Sequence, residues 1–205
     1  MTGPDARERI IVAAERLIAE RGVEVPLRDI AIAAGQRNNS AVQYYFGTRD
    51  GLISAVADYR ISALEQRRRE MLAEYEATGA QPDVRALVSA LVQPMLAIPY
   101  EHGATHYARF LEQVRAHSSL SAAENLRRAE RASVRMIVTS LDRALAPMPP
   151  ALRKRRLRVL PTVLFALLAD RERARLPGES AADSSVGDGE LVDLIVGLLT
   201  APVGG

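Results

Sequence analysis

The sequence predicts an all-α fold in two parts, an N-terminal three-helix unit containing a helix-turn-helix and a C-terminal helical bundle, joined by a long helix. Three observations predict it. Apolar residues recur at i, i+3 and i+4 along most of the 205 residues. Glycines and prolines cut that pattern into helix-sized pieces. Neither a strand-like alternation nor an internal repeat is evident.

The first helix spans about Ala6 to Arg21. Asp5 is placed to cap it with Glu8 three residues on, Ile10, Ile11, Ala14, Leu17 and Ile18 form its apolar stripe, and Gly22 ends it. Pro26 suits the first position of a second helix, where its missing N–H costs nothing. Leu27, Ile30 and Ala31 keep helical spacing there, and Ala34-Gly35 stops it, because glycine reaches the left-handed conformation a tight turn needs. In the helix that follows, Arg37, Asn38, Asn39, Ser40 and Gln43 fall within two turns, with Ala41 and Val42 as small packing residues. It is too polar for a core helix. Thr48 can cap a long helix running to about Thr78, along which Leu52, Ile53, Val56, Leu64, Leu72 and Tyr75 keep helical spacing.

The polar helix carries chemistry suited to a base reader. Asn and Gln bond adenine in bidentate fashion, Arg does so with guanine, and all three reach phosphates. A solvated surface helix is the bland alternative. The ordered motifs around it (AERG, RDIAIAAG, the polar run and YYFGTRDGL) resemble the DNA-binding domain of the tetracycline-repressor (TetR) family of transcriptional regulators. The resemblance covers roughly the first quarter of the chain. GQRNNSAVQYYF holds one residue more than the commonest turn and recognition helix, and VEVP stands where the family usually has Thr or Ser before the second helix. The resemblance implies that Arg37, Asn38, Asn39 and Gln43 approach base edges, while Arg28, Ser40, Tyr44, Tyr45 and Arg49 position the DNA backbone. It also makes Phe46 a core residue of the three-helix unit.

Composition sets the class. The chain is 48% hydrophobic and 25% charged, has no apolar run of the roughly 18 residues that a membrane span requires, and opens without an apolar signal core. A cytoplasmic protein with no membrane partner is the expectation. Zero cysteines exclude a disulfide framework or thiolate metal site. Net charge is only +2, and residues 1–52 carry as many arginines as acids, so bulk charge gives no argument for nucleic acid and local arrangement must supply it.

Beyond Gly79 and Pro82, Asp83 starts a helix that Pro94 should kink and Pro99 end. A helix from about His102 to His117 follows, then one from the capping box at Ser121 and Glu124 to about Leu145, stopped by Pro147, Pro149 and Pro150. Ala151 to Leu176 forms the next, with a kink at Pro161, and Leu191, Leu194, Ile195, Leu198 and Leu199 make one face of the last. The two parts divide as residues 1–50 and 51–205, inside the long helix.

Other constellations carry less. The basic run from Arg153 to Arg158 and the Arg67-Arg68-Arg69 triplet read as solvated helix faces. His102 and His106 stand at i and i+4 without a carboxylate partner, so no metal site or other cofactor is expected. No nucleophile elbow, phosphate-binding glycine loop or paired-carboxylate motif supports an enzyme.

Adaptable and aromatic side chains are spread over the bundle, and the resemblance implies that some line an effector cavity: Met71, Tyr75, Met95, Tyr107, Phe110, Gln113, Met136 and Phe165 are the candidates. Leu160, Leu164, Leu167 and Leu168, with Leu191, Leu194, Ile195 and Leu198, give the last two helices more apolar surface than one core stripe needs. Similar regulators dimerise through these helices, which implies a two-fold dimer with recognition helices roughly 34–36 Å apart. The expected function is a DNA-binding transcriptional regulator. In its fuller form it is a repressor that binds a palindromic operator as a homodimer and is released by a small, mainly apolar effector. A constitutive helical DNA-binding or protein-interaction module without an effector is the alternative.

Overall fold

A computed structural model of the chain describes residues 5–37, 40–79, 81–97, 106–115, 131–175 and 187–202. Every regular element among the described residues is a helix: α1 (Ala6–Arg21), α2 (Leu27–Ala33), α3 (Ser40–Phe46), α4 (Arg49–Tyr59), α5 (Ile61–Ala77), α6 (Val84–Leu96), α7 (Tyr107–Val114), α8 (Ala132–Ala144), α9 (Pro150–Ala174) and α10 (Asp188–Thr200). None of them is long and apolar enough to cross a membrane.

Local chemistry sets most boundaries of the N-terminal unit. The Glu8 N–H donates to Asp5 Oδ1 at 2.7 Å, and Gly22 ends α1 at a φ of 86°. Pro26 sits one position earlier than expected: it is the extended residue preceding α2, which begins at Leu27. At the other end of α2, the Gly35 N–H donates to Ile32 O at 3.0 Å and the Gln36 N–H to Ala31 O at 2.9 Å. This double closure requires a left-handed residue between them, and Gly35 supplies it with a φ of 73°. Ile10, Ile18, Ile30, Leu52, Ile53 and Val56 fill the unit's centre with no exposed surface, each stabilising it by about 1.5–3 kcal/mol.

Two expectations about continuity are corrected. The polar helix is described over Ser40–Phe46 and Arg37 is not helical; Asn38 and Asn39 are outside the described residues. The single helix from Thr48 to Thr78 is divided at Arg60 into α4 and α5. Neither glycine nor proline marks this break. It coincides with a tertiary anchor, the Arg60 guanidinium donating to the Glu15 carboxylate of α1 at 3.2 and 3.4 Å.

In the bundle, α9 packs along α7 and α10, α10 lies on α6, and α5 lies against α6 and α8. α1 packs on both α4 and α7, so its buried face serves the small unit and the bundle together. The bundle's centre is Leu87, Val88, Val92, Phe110, Ile137, Leu141, Leu191 and Ile195. Helices α6 and α9 run on through Pro94 and Pro161. Pro150 opens α9, where a residue without an N–H loses nothing. Pro99, His102 and the Ser121 capping box lie outside the described residues.

Candidate nucleic-acid interface

Helix α3 presents one apolar side chain inward and a polar, aromatic face outward. Val42 is 1% exposed and anchors the helix. Ser40, Gln43, Tyr44 and Tyr45 are all exposed, and Tyr44 reaches 83%. A tyrosine so open gains nothing from the core, which leaves its ring and hydroxyl for an external partner. Tyr44 and Tyr45 meet edge to face with ring centres 5.0 Å apart, holding each other's orientation. Arg28 on α2 and Arg37 in the turn are exposed on the same helix-turn-helix. Phe46 is half-buried against the core, with the Arg7 guanidinium 5.5 Å from its ring centre.

The corner between α3 and α4 is tight. Thr48 Oγ1 accepts the Gly51 N–H at 3.0 Å, and a Cβ on Gly51 would stand 2.1 Å from the Phe46 carbonyl oxygen. Gly51 is therefore required for close backbone approach, a role invisible in a residue that reads as an ordinary helix position. Arg49 departs from expectation. Its guanidinium is turned inward and donates to the carbonyls of Val23 and Val25 at 2.6 and 2.8 Å. These carbonyls belong to the α1–α2 connection, so Arg49 braces the motif and its Nη1 is committed to the protein.

Behind the motif, a polar junction links it to the bundle. Glu15 on α1, 3% exposed, accepts from Arg60 and from the His106 backbone N–H. Burial pushes the Glu15 carboxyl above the ordinary carboxylate range, against the pull of Arg60. The His106 imidazole takes an Arg109 N–H on Nδ1, and its pKa is lowered by burial and by that guanidinium. One carboxylate thus joins α1, the α4–α5 break and the start of α7.

Two other buried carboxylates complete helix starts from neighbouring elements. Glu172 of α9 accepts the Ala108 and Arg109 N–H groups at 3.0 and 2.9 Å, capping α7. Glu65 of α5 accepts the Ser133 N–H at 2.9 Å and its hydroxyl at 2.8 Å, capping α8. Negative charge at a helix N-terminus is favourable. Their only sequence signal was a glutamate interrupting an otherwise inward stripe.

The candidate cavity residues divide. Met71, Met95, Tyr107 and Phe110 are buried, Tyr75 and Phe165 are half-buried, but Gln113 is exposed and Met136 is 50% exposed. The last two point away from the interior because their turns of α7 and α8 present Phe110, Val114, Ile137 and Leu141 inward instead. The interface candidates divide as well. Leu160, Leu164, Leu168, Leu191 and Ile195 are buried within the protomer's own core, where α9 and α10 pack on each other and on α6. Leu194 is 45% exposed, Leu167 and Leu198 are half-buried, and Val159 adds 37% exposure. Arg153 and Arg156 of the basic run are spoken for, by Asp142 and by the Leu199 and Ala201 carbonyls.

A compact helix-turn-helix joined to a helical bundle, with an exposed polar second helix, defines the class of helix-turn-helix transcriptional regulators. Residues 10–56 match the family model for bacterial regulatory proteins of the tetR family, and residues 89–201 match the tetracyclin repressor-like C-terminal domain. The chain belongs to the TetR family of transcriptional regulators. It is 29% identical over 116 residues to the HTH-type transcriptional dual regulator CecR of Shigella flexneri, a match covering 54% of this chain and 52% of that protein. The chain thus spans about half the length of that curated relative. Its fold is similar to a TetR-family regulator from Rhodococcus sp. (TM-score 0.56, 16% identity, 96% of this chain and 97% of the other). It is also similar to AibR, solved in complex with isovaleryl coenzyme A and operator DNA (TM-score 0.52, 19% identity, 97% and 100%).

Proposed function

We propose that this regulator is a homodimeric repressor that reads a palindromic operator with α3 and releases it when a small molecule occupies the bundle. The observation that carries the reading is the outward face of α3, where Gln43, Tyr44 and Tyr45 are all exposed on a helix anchored to the core by Val42, with Ala41 and Phe46 packed beside it. Gln43 reads a base edge, Arg37 extends the reading surface before it, and Arg28, Ser40 and the two tyrosines hold the DNA backbone. The DNA-binding part includes α4, whose Leu52, Ile53 and Val56 complete its core, and the effector and dimerisation part follows from α5. The homodimer uses the accessible apolar residues of α9 and α10, chiefly Leu194, Leu198 and Leu167. AibR, which shares the fold, was captured with an acyl-coenzyme A and operator DNA, which supports a bundle that takes a ligand.

Release is a population shift. The ligand favours a conformation whose recognition helices no longer match the half-site spacing, and it moves the equilibrium only by its differential affinity for the two states. The junction of Glu15, Arg60 and His106 is the route, since it ties α1 to the break in the long helix and to α7.

The test is operator selection from random DNA followed by binding of variants. A single palindromic motif is expected, and Gln43→Ala should lose about 1–3 kcal/mol, roughly five- to 150-fold, at one base position. Unchanged affinity and selectivity would remove Gln43 as a base reader. Sedimentation of the protein gives a dimer, and Leu194→Asp with Leu198→Asp gives a monomer with weakened operator binding. A monomer for the unaltered chain at micromolar concentration overturns the dimer.

A further inference from the structure

We propose that Arg7, on the first turn of α1, is a further DNA contact: held against the C-terminal end of α3 by the Phe46 ring, it binds a backbone phosphate at the rim of the major groove. This rests on α3 reading that groove, and it extends the contact surface to a helix outside the helix-turn-helix.

The Arg7 guanidinium lies over the Phe46 ring, 5.5 Å from its centre, and the side chain is otherwise exposed. The ring fixes where the cation stands without neutralising it. Among the described residues Arg7 forms no ion pair, so its N–H donors face solvent or a ligand. The acids on either side of it are turned to the protein. Asp5 accepts the Glu8 N–H at 2.7 Å, and Glu8 accepts the Tyr59 hydroxyl of α4. Other arginines of the unit are engaged, Arg21 by Asp29 and Arg49 by two carbonyls. In a unit whose arginines and acids balance, an open cation beside the recognition helix carries weight.

Its place along α3 decides what that charge meets. Phe46 is the last residue of α3, and its carbonyl is locked in the tight corner, accepting the Thr48 N–H at 2.7 Å with no room for a Cβ on Gly51. A recognition helix sets its N-terminal residues at the base edges. At about 1.5 Å per residue, α3 carries the chain roughly 9 Å from Ser40 to Phe46, close to the major-groove depth of about 8.5 Å. With the start of α3 at the bases, Phe46 stands at the rim, among the phosphates. The last turn of α3 has no basic residue of its own, whereas Arg37 precedes its first turn. Arg7 supplies the cation that end lacks. Tyr45 and Tyr44 continue the strip from Phe46, with successive ring centres 6.1 and 5.0 Å apart, and a guanidinium bonds phosphate through its fork.

The test is the salt dependence of DNA binding by the full chain, read by fluorescence anisotropy on the selected operator and on a scrambled duplex. Each phosphate neutralised steepens the fall of log affinity with log salt by about 0.9 on duplex DNA. Arg7→Gln is expected to flatten that slope by about 0.9 for each protomer bound, and to weaken operator and scrambled duplex by the same factor. Arg7→Lys keeps the slope, because the charge remains. Arg69→Gln removes the same charge from an exposed position on α5 and leaves the slope unchanged. Weaker operator binding by Arg7→Gln at an unchanged slope makes Arg7 a strut for α3 and overturns the proposal. So does a loss confined to the operator, a flattened slope in Arg7→Lys or Arg69→Gln, or Arg7→Gln binding that matches the unaltered protein. Failure of the groove reading looks different: the unaltered protein then selects no motif from random DNA, whereas this proposal falls alone when a motif is selected and the Arg7→Gln slope is unchanged.

Discussion

Replacing Arg60 by methionine tests the junction between the DNA-binding unit and the bundle. The change removes two donors at 3.2 and 3.4 Å from Glu15 and keeps most of the apolar stem. It leaves a carboxylate with 4% side-chain exposure and without the cation that drew its pKa down. Orphaning one member of a buried pair costs about 3–5 kcal/mol. The Arg60 side chain is 24% exposed, so water can partly replace it and the low end applies. About 3 kcal/mol corresponds to a fall of roughly 6–12 °C in melting temperature for a chain of this size, read by far-UV circular dichroism. Glu15→Gln combined with Arg60→Met recovers most of the loss, because a neutral amide needs no counter-charge. The single variant's deficit also narrows as the pH is lowered, since protonation of Glu15 removes the unpaired charge. A fall below about 2 °C for Arg60→Met, or a double variant as unstable as the single, would refute the argument.

Arg49→Ala loses two charge-assisted bonds to Val23 and Val25 and is expected to cost about 2–4 kcal/mol in the absence of DNA; an unchanged melting temperature would return Arg49 to the phosphates. His106 gives a pH dependence of defined sign. Its folded pKa lies below the ordinary 6.5 through burial and Arg109, so its contribution to stability is present above that value and lost as the pH falls through the folded pKa. Between about pH 7.5 and 5 the protein therefore loses more stability than His106→Gln does, and parallel slopes would exclude the effect.

The parts of the fold legible in the sequence are those decided by neighbours along the chain. Asp5, Gly22, Gly35 and Thr48 act within three or four residues of themselves, through a side-chain cap or a left-handed turn, and each boundary they imply is present. The outward face of α3 was legible for the same reason: its polar residues surround one valine. What was hidden depends on partners far away. Arg60 breaks a helix that nothing local interrupts, because Glu15 holds it. Arg49 belongs to two carbonyls more than twenty positions earlier. The leucines of α9 and α10 all look alike as a pattern, and only packing against α6 separates Leu191 and Ile195, which are buried, from Leu194, which is not.

The cap that Glu172 places on α7 has a consequence for how the bundle loosens. This helix has eight residues and no side-chain cap of its own, and isolated helices shorter than about 12–15 residues are marginal in water. Its order is borrowed from α9. When the two helices part, the amides of Ala108 and Arg109 lose their acceptor at once, so α7 unwinds from its first turn instead of moving as a rod. Deuterium entering those two amides would then time the separation of α9 from the α1–α7 contact.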